Sequence, residues 1–88
     1  MTDWDAELFE FTAAEVERLA EMEHARWMAE RARGGYTHGP VRDDLARTHP
    51  ELLPWDQLTE ETKEKDRAFI RGLPAYLASV GFQIIRRP

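Results

Sequence analysis

His24, Trp27 and Arg31 are separated by three and four residues, a spacing that sets an imidazole, an indole and a guanidinium on one face of a helix within two turns. Each group suits one part of a small charged, aromatic ligand. An indole offers a flat apolar surface on which a nucleobase stacks, an imidazole can hydrogen-bond the edge of that base, and a guanidinium grips a carboxylate or phosphate through two parallel N–H donors. The plainer alternative uses the same residues for folding, with Trp27 in the core, His24 bonded to a neighbouring loop and Arg31 lying over the indole or on solvent.

A second set of polar groups follows in the stretch from Gly35 to Trp55, which carries Tyr36, His38, Arg42, Asp43, Asp44 and His49. Arg42 followed by two aspartates reads either as an anion grip with acceptors for sugar hydroxyls, or as an internal ion-pair knot that pins the stretch to the first helix. His38, Asp43, Asp44 and His49 lack the spacings of a metal site. Ser79 is the only serine and has no glycine-flanked elbow around it, and no glycine-rich phosphate loop is present. The groups favour binding over catalysis, so no cofactor is expected.

The elements that must position these groups can be read from the same chain. Thr12-Ala13-Ala14-Glu15 forms a capping box, with Phe11 and Val16 at the positions of a hydrophobic staple. From Ala13 to about Arg33 there is neither proline nor glycine, and Gly34-Gly35 supplies the stop. This predicts the helix that carries His24, Trp27 and Arg31. The steps Gly39-Pro40, His49-Pro50 and Leu53-Pro54 argue against a continuous helix and for a long ordered loop, which in a small domain usually has a task. A second helical region is expected after Thr59, where Glu60 and Glu61 suit the helix dipole and Phe69, Ile70, Leu73, Leu77 and Val80 recur at helical spacing. Pro74 is expected to kink that helix or begin a new one, and Gly81 to end it. Phe82-Gln83-Ile84-Ile85 reads as a short strand whose partner is the Tyr36–Arg42 stretch, the N-terminal aromatics Trp4, Phe9 and Phe11, or a second copy.

Composition limits the possibilities further. The chain of 88 residues is 42% hydrophobic and has no cysteine, which predicts one domain held by packing alone. The fold class expected is mainly α: a small helical domain with a long ordered loop and one or two short β-strands. A net charge of −5, with nine acids against four bases in residues 1–33, disfavours duplex nucleic acid as a partner. A small anion held by local arginines remains compatible. Neither a signal-peptide pattern nor a run long enough to span a membrane is present, so a cytoplasmic location away from membranes is expected.

Three strings, Met22-Glu23-His24-Ala25-Arg26-Trp27, Gly35-Tyr36-Thr37-His38-Gly39-Pro40-Val41-Arg42-Asp43-Asp44 and His49-Pro50-Glu51-Leu52-Leu53-Pro54-Trp55, resemble in order the ryanodine receptor repeat, or RyR domain. The resemblance runs from about Leu19 to Ile85 and leaves residues 1–11 as an N-terminal extension of a single domain. It is similar to the stand-alone bacterial or phage type rather than to the tandem repeats of calcium-release channels. What the resemblance implies is a mostly helical fold and a nucleotide ligand, with Trp27 as stacking platform, His24 as its polar neighbour and Arg31 and His49 in the pocket. With one copy per chain, a two-sided pocket would require a homodimer. Together the residues and the resemblance give His24, Trp27, Arg31, Tyr36, Arg42 and His49 as the ligand-binding set. The alternative expectation is a protein-interaction or dimerisation module acting through exposed aromatics and the C-terminal segment.

Overall fold

The computed structural model describes residues 9–88; the expectation placed on Trp4 lies outside them. Two helices, α1 (Ala13–Arg33) and α2 (Glu60–Ser79), pack against each other. Val16, Ala20 and Ile70 are buried between them, with Phe11, Leu19, Trp55 and Leu73 packed around. The capping box forms as the sequence predicts: Glu15 N–H donates to the Thr12 hydroxyl at 3.1 Å and Thr12 N–H to the Glu15 carboxylate at 2.8 Å. Phe11 reaches the Val16 cluster, completing the staple.

Both helices end in the same way. After α1, Gly35 takes φ 85°, its N–H donates to the Ala32 carbonyl and that of Tyr36 to the Arg31 carbonyl, each at 3.0 Å. After α2, Gly81 takes φ 93°, and Phe82 N–H donates to the Leu77 carbonyl at 2.9 Å. These are Schellman endings, which close the orphan carbonyls and turn the chain back along the helix it has left. The first of them delivers Tyr36 beneath Arg31.

The stretch between the helices is an ordered loop folded on itself. Strands β1 (Thr37–His38) and β2 (Thr48–His49) pair in parallel, Thr37 with Thr48 and His38 with His49. The turn that joins them is held by an antiparallel bridge between Asp43 and Thr48 and by Asp43, whose carboxylate accepts from the N–H groups of Leu45 and Ala46. Arg47 reverses the chain at φ 58°. Gly39 is required because a Cβ there would lie 2.7 Å from Thr48 Cβ. A 3-10 turn, η1 (Trp55–Gln57), then leads into α2, whose N-cap Thr59 accepts from Thr62 N–H.

Of the two outcomes expected at Pro74, no new helix begins there; it lies buried within the continuous α2. The missing donor costs helix stability, but Ile70, Leu73 and Pro74 itself pack toward α1, and that burial keeps the helix continuous. Phe82–Ile85 forms no strand, because the loop supplies its own β pair and the tail is held by side chains instead. Arg86 donates to the Glu15 carboxylate and to the Glu10 carbonyl and lies 4.4 Å from the centroid of Phe9.

Candidate functional site

The second half of α1 and the loop meet around His24, which is only 4% exposed. Its Nε2 donates to the Leu53 carbonyl at 2.7 Å, so this nitrogen is committed to anchoring the loop. Nδ1 faces Asp66 of α2 at 4.0 Å. The imidazole stacks beside Trp27 with centroids 5.6 Å apart and planes 26° from parallel, and Trp55 lies 6.0 Å away on another side. Trp55 is fixed by Glu17, which accepts from its indole N–H at 3.0 Å and from Arg67 of α2 at 2.8 and 3.2 Å. One buried histidine thus joins α1, the loop and α2.

Trp27 is half-buried. His49 meets it edge-on with centroids 4.9 Å apart, and the Arg31 guanidinium lies 5.9 Å from its ring. Arg31 also lies 5.1 Å from the Tyr36 ring, held there by the Schellman turn. Its Nε is buried and has no hydrogen-bond partner among the described residues.

His49 accepts the Glu51 N–H through Nδ1 at 3.1 Å, which puts its remaining proton on Nε2 when the ring is neutral. Burial pushes its pKa down, and Arg42 and Arg31 push the same way against Glu51. The neutral donor form is therefore favoured at neutral pH. His49 stands with Glu51 on one hand and Arg31, Arg42 and Asp44 on the other.

On one side is a cleft of about 200 Å³ lined by Glu23, His24, Trp27, His49, Glu51, Thr62, Lys65 and Asp66. Lys65 and Glu51 approach to 3.8 Å, and Arg26 pairs with Glu23 at 2.8 Å, holding its carboxyl below the usual range. Asp66 is pushed the other way: burial raises its pKa, His24 opposes, and Glu23 and Glu51 add repulsion. On the other side Arg31, Tyr36 and Arg42 form a polar shelf. Tyr36 donates to Asp44 at 2.9 Å and Arg42 approaches the same carboxylate at 3.4 Å, and these two contacts lower the Asp44 pKa, the tyrosine foremost.

The structure therefore brings His24, Trp27 and His49 together on the cleft, with Arg31 over the indole and Tyr36 against Arg31. Arg42 stays on the exposed loop and does not line the cleft. The two aspartates form a knot, but within the loop and on Tyr36 rather than on α1. His38 is exposed on β1 and turns to no part of the site. The sequence reading missed the contribution of α2. Thr62 and Asp66 are four residues apart on one face, next to the cap that starts the helix, and that spacing was the available signal. Among the described residues no group of three or more His, Asp or Glu side chains could hold a metal ion, and no helix is long and apolar enough to cross a membrane.

The His24–Trp27 pair, the knotted loop and the Leu53–Trp55 anchor lie within a match that covers residues 5–86, nearly the whole chain: the protein belongs to the RyR domain family.

Proposed function

We propose that this chain is a non-enzymatic binding module that senses a nucleotide or nucleotide-derived signal at the Trp27–His49 edge. The observation that carries this reading is the two-sided polarity of the site. The cleft presents carboxylate acceptors, Asp66 and Glu51, beside the indole, which suits the amino and ring N–H donors of a base. The shelf presents the guanidiniums of Arg31, over the Tyr36 ring, and of Arg42, beside Asp44, which suits phosphate. At about 200 Å³ the cleft is smaller than the roughly 300–1,000 Å³ of pockets that enclose a whole ligand. One ring system enters it, and the sugar and phosphates lie outward over the shelf. His49, neutral and carrying its proton on Nε2, stands at the junction as a donor.

The test is a thermal-shift screen against mononucleotides, dinucleotides and cyclic oligonucleotides. A ligand at 100 times its dissociation constant stabilises by about 2.7 kcal/mol. The expected result is a shift with wild type that disappears in Trp27→Ala and shrinks in Arg31→Gln, each shown by circular dichroism to retain helix. A flat screen, or a shift unchanged in both variants, overturns the reading.

A further inference from the structure

Along one edge of α2 three large side chains are left exposed among the described residues. Thr62, Asp66, Phe69, Leu73, Tyr76 and Val80 follow one another at intervals of four and three residues, forming a single row along the helix. The first two line the cleft. Beyond them Phe69, Tyr76 and Val80 are 48%, 66% and 69% exposed. A parallel row of small residues, Ala68, Gly72, Ala75 and Ser79, runs beside it at the same intervals. Gly72 is the informative member. It weakens a helix interior relative to alanine, yet a Cβ built on it would meet nothing within 4 Å. Nothing among the described residues needs that glycine, whereas close approach by another backbone would.

We propose that this face of α2 is the contact between two copies of the chain, packed antiparallel about a two-fold axis at the level of residue 74. In that register Phe69 of one copy opposes Ser79 of the other, Val80 opposes Ala68, Tyr76 opposes Gly72 and Leu73 opposes Ala75. Every large side chain meets a small one, and the surface is its own complement, as an isologous interface must be. The only charged residue in 68–80 is Arg71, and it is tied to Glu64 of its own helix, so pairing apposes no like charges. The exposed parts of Phe69, Tyr76 and Val80, with the exposed Ala68, Ala75 and Ser79 beside them, amount to on the order of 500 Å² per copy, and doubling this reaches the roughly 1,000 Å² that a specific interface should clear. The pairing stands on the α2 face alone and holds whether or not a nucleotide binds.

The experiment is sedimentation velocity of the full chain over a wide concentration range, with Gly72→Leu and Tyr76→Glu for comparison. Both positions open to solvent in the single chain, so both variants should keep the helical circular dichroism of wild type. Wild type should form a two-copy species, and each variant should weaken association at least tenfold. Because the chain has no cysteine, register can be read separately: Phe69→Cys with Ser79→Cys in one chain should oxidise to a covalent pair of copies, and Phe69→Cys alone should not. A wild type that stays monomeric at every concentration, or association unchanged in both variants, overturns the proposal.

Discussion

Replacing His24 by phenylalanine isolates the bond on which the architecture of the site depends. The substitution keeps a flat ring against Trp27 and Trp55 and removes the Nε2–H that the Leu53 carbonyl accepts at 2.7 Å. His24 is 4% exposed, so water cannot readily replace the lost donor. An unsatisfied buried acceptor costs about 1–3 kcal/mol, a large share of the roughly 4–13 kcal/mol expected for a chain of this size. For a domain of this length that corresponds to a fall in Tm of roughly 5–20 °C. Thermal and urea unfolding followed by circular dichroism measure it directly. His24→Gln, whose amide extends to the position of Nε2, should recover part of the loss, and amide exchange should rise first around residues 49–54. If His24→Phe were as stable as wild type, the claim that this bond holds the loop in place would be wrong.

Four further outcomes are expected. Because burial raises the folded-state pKa of Asp66, its ionised form opposes folding; Asp66→Asn should raise Tm at pH 7, and the gain should vanish in Tm scans below the ordinary carboxylate pKa of 3.8. Glu15 is held down to about 2, first by Arg86 and then by the Thr12 N–H, so its contribution is complete above its ordinary 4.5 and lost as pH falls toward 2. A carboxyl titration by NMR should return that midpoint, and Arg86→Ala should move it upward. Gly39→Ala forces a contact with Thr48 Cβ, an atom that no rotamer change can move, and should lower stability by about 1–3 kcal/mol in urea denaturation. Ile70→Val, which removes one methylene from the buried cluster, should cost about 0.5–1.5 kcal/mol by the same measurement.

What could be read from the chain divides along local and non-local lines. The limits of α1 follow from Thr12, Glu15 and Gly34-Gly35, and the start of α2 from Thr59; all are contacts within a few residues. Which of the two outcomes Pro74 takes was not legible, because the helix continues through it by packing on α1, a contact between segments far apart in sequence. Phe82–Ile85 misled for a related reason. Its β-prone composition describes what a partner strand would accept, while the pairing was already made inside the loop between Thr37–His38 and Thr48–His49. At the candidate site, the α1 stripe was legible because three and four residue spacings fix a helical face. The roles within it were not, since whether His24 faces a ligand or the Leu53 carbonyl depends on where a segment 29 residues away returns. Asp66 and Thr62 were hidden in the same way, as members of the opposite wall.

The anchoring of Arg86 on Glu15, Glu10 and Phe9 has a consequence for how such a unit can be carried by larger proteins. The first described residues lie within reach of the Arg86 side chain, so the described body begins and ends close together. A host loop can therefore receive the whole body as an insertion without being pried apart. Pulling on both extremities would load the Arg86 clasp before the helix pair, as a latch takes strain ahead of the hinge.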